Sequence, residues 1–107
     1  MQVLEYLDSR GRSPFGRWFD GLDGQAAAKV TVALTRLGLG NFSSVKGVSG
    51  GVLEYRIDTG PGYRIYFGMD GDAFVILLAG GTKRRQQGDI EIAKLRWSEY
   101  KQRKKEQ

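Results

Sequence analysis

"VLEYRIDTGPGYRIYFGMDGDAFVILLA", residues 52–79, decides the fold. Three runs rich in aromatic and β-branched residues, 52–57, 63–69 and 73–79, are punctuated by "DTGPG" and by "DG". Aspartate followed by glycine between apolar runs is a strong two-residue hairpin signal, because both central residues of such a turn need positive φ. The pattern predicts an antiparallel meander.

The two turns also set a register. Closure about Gly60 places Ile57 opposite Tyr63, Arg56 opposite Arg64, Tyr55 opposite Ile65 and Leu53 opposite Phe67. A two-residue turn at Asp70 and Gly71 places Phe67 opposite Phe74, Ile65 opposite Ile76 and Tyr63 opposite Leu78. One face then holds Leu53, Tyr55, Ile57, Tyr63, Ile65, Phe67, Phe74, Ile76 and Leu78, the expected core face. The other holds Glu54, Arg56, Arg64, Tyr66, Val75, Leu77 and, by continued alternation, Gly81 and Lys83. Two arginines directly opposed across a strand pair repel unless an anion lies between them. A bound phosphate would serve; Glu54, one diagonal step from Arg64, is the structural alternative. Tyr66 beside Arg64 adds the ring-and-guanidinium combination that stacks and clamps nucleotides.

Outward from the meander, Met1 to Leu7 alternates and reads as a first strand. Ser13 is a helix N-cap with Pro14 behind it, and Phe15, Trp18, Phe19 and Leu22 follow at helical spacing. Asp23 caps a second helix carrying Ala27, Val30, Leu34 and Leu37, which Gly38 and Gly40 end. "NFSSVKGVSGG", residues 41–51, reads as a loop holding Lys46. Asp89 starts a last helix with Ile90, Ala93, Trp97 and Tyr100 along one face. The expected class is α+β in a single domain over 1–107: two N-terminal helices on a twisted, mainly antiparallel sheet of about four strands, with a C-terminal helix.

Composition narrows the chemistry. The chain of 107 residues contains no cysteine and no histidine, so thiolate metal sites, disulfides and the commonest general base are excluded. No metal or other cofactor is expected. The apolar run 73–79 is far shorter than the ~20 residues of a membrane span. The N-terminus lacks the basic start and apolar core of a secretory signal, so a cytoplasmic chain is expected. Charge is uneven: residues 1–80 carry eight Lys/Arg against eight acids, whereas 81–107 carry nine against four, the whole excess of +5. Such a segment suits a polyanion or an acidic partner.

The residues Gly60 to Phe67 ("GPGYRIYF"), Phe74 to Ala79, and Gly80, Gly81, Lys83, Gln86, Asp89 and Ile90 together resemble the RelE/ParE toxin superfamily. The branch they resemble most is the phage-derived, Gp49-like, HigB-type one, whose members are called addiction-module killer proteins. The resemblance extends back through Leu53, Tyr55 and Arg56 to both helices. It implies a RelE-like fold and the toxin of a type II toxin–antitoxin pair: an mRNA endoribonuclease acting on the ribosome without metal. The 2′-hydroxyl beside the scissile phosphate attacks it, which inhibits translation.

Carried onto this chain, the resemblance implies that Arg64 contacts the scissile phosphate, that Lys83 is a second phosphate ligand or the proton donor, and that Arg56 orients the backbone. Lys46, Arg84, Arg85 and Lys94 would grip RNA. Some relatives place a Tyr or His shortly after the last strand as general acid or base. This chain has neither between Gly80 and Leu95, which leaves Glu54 or Tyr66 for the base. Implied partners are mRNA, the ribosome and a helix-turn-helix, HigA-like antitoxin. Two other readings share the residues: a ParE-like gyrase inhibitor, and a non-catalytic nucleic-acid-binding module.

Overall fold

A computed structural model describes all 107 residues. The chain runs β1 (Gln2–Glu5), α1 (Pro14–Asp20), α2 (Gly24–Gly38), β2 (Val45–Gly47), β3 (Leu53–Ile57), β4 (Tyr63–Asp70) and β5 (Phe74–Thr82). A single 3-10 turn (Lys83–Arg85) then leads into α3 (Gln86–Lys105). Strand order is β1-β5-β4-β3-β2; β1 pairs parallel to β5, and every other pair is antiparallel. The class is therefore α+β with a five-stranded mixed sheet. No helix is long and apolar enough to cross a membrane.

Both early helices start as their caps dictate. Ser13 Oγ accepts from the Gly16 amide and Asp23 Oδ1 from the Ala26 amide, each at 2.9 Å. Such caps satisfy an otherwise orphaned amide and contribute about 1 kcal/mol each. Their apolar sides, including Phe15, Val30, Ala33 and Leu37, bury against Tyr55, Ile65, Phe67, Val75 and Leu77. The opposite face of the sheet is covered too. Ile90, Ala93 and Trp97 of α3 pack there on Val52, Tyr66, Ile76, Leu78 and Ala79. Strand β4 is thus a central strand enclosed on both sides.

Three expectations change. The segment 41–51 contains a fifth strand: Val45–Gly47 pairs with β3, placing Lys46 opposite Glu54. Three residues that include a lysine and a glycine carry no alternation of their own, and only the neighbouring strand makes them extended. Secondly, the β4–β5 connection is a three-residue loop, Gly71 to Ala73, with Gly71 at φ +63°. Phe67 consequently faces Leu77 rather than Phe74, and Val75 and Leu77 point at α1 and α2 while Phe74, Ile76 and Leu78 point at α3. The β3–β4 register, in contrast, is the expected one at the four pairs read from the turn, including Arg56 opposite Arg64.

Thirdly, α3 begins three residues before Asp89, and Asp89 lies inside its first turn rather than capping it. Its carboxylate rests against the backbone of Gly81, where a Cβ would collide with it.

Alternation along β5 is broken once more. Phe67 pairs with Leu77 and Tyr66 with Ala79, so Leu78 is the extra residue of a β-bulge. Arg96 reaches back from α3 and donates from Nη1 to the Leu78 carbonyl at 2.8 Å. Beyond the bulge the faces are exchanged: Gly80 lies against the Trp18 ring on the α1 side and Gly81 against Asp89 on the α3 side. The bulge restores Gly81 to the face of Arg64, which two-residue alternation had assigned it through a displaced turn. Replacing Arg96 with Met keeps its apolar stem but strips the Leu78 carbonyl of its donor. Loss of such a partner costs about 1–3 kcal/mol. The expected outcome is a lower urea midpoint with an unchanged denaturant slope.

Candidate nucleic-acid interface

Strand pairing assembles the site row by row. Lys46, Glu54, Tyr66 and Ala79 form one row across β2, β3, β4 and β5; Arg56, Arg64 and Gly81 form the next. Of the residues singled out in the sequence, Lys46, Glu54, Arg56, Arg64 and Tyr66 therefore lie together on the sheet. Their depths differ sharply. Glu54 is 0% and Arg64 1% exposed, Tyr66 is buried, and Lys46, Arg56, Lys83, Arg84 and Arg85 are exposed.

Glu54 is the hub of the buried part. Its Oε2 accepts from Gln86 Nε2 at 2.8 Å. Its Oε1 lies 3.8 Å from Lys46 Nζ and 3.9 Å from Arg64 Nε and accepts no hydrogen bond. Arg64 is held at its far end, donating from Nη1 to the Tyr63 carbonyl at 3.2 Å, with Asp58 Oδ1 3.7 Å away. The opposed arginines thus avoid each other by depth: Arg64 turns inward to Glu54, while Arg56 remains at the surface, 3.8 Å from Asp58. Glu54 is the anion that relieves the buried arginine, as the structural alternative had it.

Tyr66 does not offer a ring for stacking. It is enclosed by the α3 cluster, and burial, followed by the neighbouring Glu54 and Asp89 carboxylates, raises its pKa further above that of an ordinary phenol. A phenol held protonated in this way cannot be the base near neutral pH, so of the two base candidates Glu54 is the one whose chemistry fits.

An open groove of about 610 Å3 is lined by Lys46, Lys83, Arg84 and Gln86; Glu54, fully enclosed, does not line it and touches it only through Lys46 and Gln86. The side chains of Lys46 and Gln86 that hold the Glu54 carboxylate also line this groove, so a swing of those two chains is what would uncover it. Arg85 and Lys94 lie outside its lining. The Lys94 stem instead covers Gly50, and its Nζ is 3.6 Å from Glu91. Gln86 was legible only as part of a family-like pattern. Asp58 carried no such signal, and only the fold brings it to Arg56 and Arg64.

Asp89, one turn into α3, is half-buried, with its Oδ2 atom enclosed. Its Oδ2 has no hydrogen-bond partner, and burial pushes its carboxyl above the ordinary value, with Arg85 and Arg96 offsetting only part of the effect. A carboxyl whose pKa is higher folded than unfolded destabilises the fold whenever it is ionised. Asp89→Asn is therefore expected to raise stability at neutral pH. That gain should be full above the folded pKa and should disappear as pH falls from there through the ordinary 3.8. Urea titrations of both proteins across this range check it; a gain independent of pH contradicts the ionisation account.

No family model matches the chain. An uncharacterized protein of Haemophilus influenzae is 44% identical to it over 82 residues, a stretch that covers 76% of this chain and 83% of the relative.

Proposed function

The chain belongs to one family with that Haemophilus influenzae protein, and we propose, from the site rather than from the relative, that it is a RelE-like endoribonuclease toxin. The observation that carries the reading is the Glu54 carboxylate. It has one oxygen that accepts no hydrogen bond, and the two side chains that hold it, Lys46 and Gln86, line a groove that also carries Lys83 and Arg84. A base and cations near it are what transesterification of RNA requires.

In this mechanism the RNA backbone enters the groove and draws Lys46 and Gln86 off Glu54. The carboxylate takes the proton of the 2′-hydroxyl, whose oxygen attacks the adjacent phosphorus while the bond to the 5′-oxygen breaks. Lys83 supplies a proton to that leaving oxygen, giving a 2′,3′-cyclic phosphate and a 5′-hydroxyl. Lys46 and Arg84 hold the non-bridging oxygens, where negative charge grows. Positioned proton transfer of this kind accelerates a reaction ~10²–10⁴-fold, and a preorganised charge contact ~10²–10³-fold. Arg64, enclosed as it is, acts by fixing Glu54 rather than by touching phosphate. In this reading the substrate is mRNA on the ribosome, and a helix-turn-helix antitoxin covers the basic groove.

The enclosure of Glu54 and Arg64 favours a second reading, a non-catalytic RNA-binding module in which the pair is purely structural. Glu54→Gln separates the two. The nuclease reading expects cleavage to fall ~10²–10⁴-fold while RNA binding persists. Lys83→Ala, at an exposed position, should also suppress cleavage with the fold intact. Mapping 5′ ends of cellular mRNA after brief induction is the assay: 5′-hydroxyl ends inside translated frames that vanish in both variants support the nuclease. RNA retardation without any cutting, on free or translating message, leaves only the binding module.

A further inference from the structure

We infer that the groove lined by Lys46, Lys83 and Arg84 continues around the edge of the sheet onto helix α2, where Lys29 and Arg36 form a second docking surface for single-stranded nucleic acid. The inference rests on the reading that the Lys46 groove receives RNA.

Three open grooves lie in series and share their boundary residues. The first holds Lys83, Arg84 and Lys46. The second, about 330 Å3, has Lys46 at one end and Arg56 at the other. The third, about 400 Å3, runs from Arg56 to Arg36 and Lys29. The path crosses β2, the edge strand, whose outer side pairs with nothing in the sheet. Asp58 is the one acid lining any of the three, and it lies within 4.0 Å of both Arg56 and Arg64. Lys29 and Arg36 form no ion pair.

Helix electrostatics explains only one of these two. A cation in the last turn of α2, as Arg36 is, interacts favourably with the helix dipole. Lys29 lies in the first half of the helix, where the dipole offers it nothing. Seven residues separate them, so they share a face at a spacing of about 10.5 Å along the axis. A flexible polyanion can follow a narrow, bent line of cations, whereas a folded acidic surface meets one groove at a time. The path carries no exposed aromatic ring, so binding should be driven by backbone charge, with strong salt dependence and little sequence preference.

The test uses the full-length chain with Lys29→Ala/Arg36→Ala and fluorescein-labelled 2′-O-methyl oligouridines, which cannot be cut, of 6 and 20 nucleotides. The wild type should bind the 20-mer more tightly than the 6-mer. The double variant should lose that advantage, with 6-mer binding unchanged. Its dependence of log affinity on log salt should become shallower by about 1.4 for the 20-mer, about 0.7 for each lost phosphate contact. Unchanged 20-mer binding and slope overturn the proposal, as does equal weakening of both lengths. Displacement of the 20-mer by poly-glutamate at equal charge concentration, with the same sensitivity to the two substitutions, also overturns it and assigns the surface to an acidic protein. Because the probes are not cleaved, a chain without nuclease activity still gives a clear answer, and intact 20-mer binding by Glu54→Gln separates this surface from the chemistry.

Discussion

The bulge at Leu78, with Arg96 donating to its carbonyl, is the constraint on which the rest of the structure depends. Strand β5 must serve two layers at once, presenting Val75 and Leu77 to α1 and α2 and Ile76, Leu78 and Ala79 to α3. Strict alternation would turn Gly80 toward Asp89 and Gly81 toward Trp18, and would move Gly81 off the face of Arg64. One inserted residue exchanges the two faces, setting Gly80 against the indole and Gly81 against the carboxylate. Only glycine allows approaches this close on both faces, and the start of α3 is thereby fixed over the row of Arg64. Lys83 and Gln86 reach the mouth of the site because the strand before them changes phase.

Behind that mouth, Glu54 and Arg64 are held in an interior that gives little back for them. Desolvating two charges costs several kcal/mol each, and their 3.9 Å separation is too long for a hydrogen bond to recover the cost. Gln86, Lys46, Asp58 and the Tyr63 carbonyl supply the remaining compensation from four different segments. Truncating Arg64 would leave the Glu54 carboxylate short of a cation, a loss of about 3–5 kcal/mol by general precedent. Loss of function on removing Arg64 would for that reason say little about catalysis, whereas loss at exposed Lys83 is informative. A pair so expensive to bury contributes little to stability, and its only link to the basic groove runs through Lys46 and Gln86.

Much of this was legible in the sequence. The meander, both capped helices and the β3–β4 register follow from turn residues and periodicity, because Gly60 and the Ser13 and Asp23 caps act locally. The β4–β5 register did not follow, since "DG" closes a two-residue turn as readily as it opens a longer loop, and packing on the two layers decides. A bulge leaves no local signature when every residue near it is apolar. Depth was the larger gap in the site: Glu54, Arg56, Arg64 and Tyr66 share a face by parity, but parity does not reveal that α3 closes over part of it. Arg64 and Tyr66 went inside, and Arg56 stayed out.

Charge shows the same limit from the other side. Residues 1–80 balance to zero, so their sum conceals the local excess that Lys29, Arg36 and Arg56 create once α2 packs beside β3. The sequence reading of α2 rested on its apolar residues, and only the packing of α2 beside β3 brings Lys29 and Arg36 to Arg56. Strand β2 completes the arrangement. As three residues without an apolar pattern, it is extended only because β3 is there to pair with it, and pairing is what sets Lys46 across from Glu54. The residue that joins the buried cluster to the surface grooves thus owes its place to long-range pairing, the kind of information a linear reading of the chain does not contain.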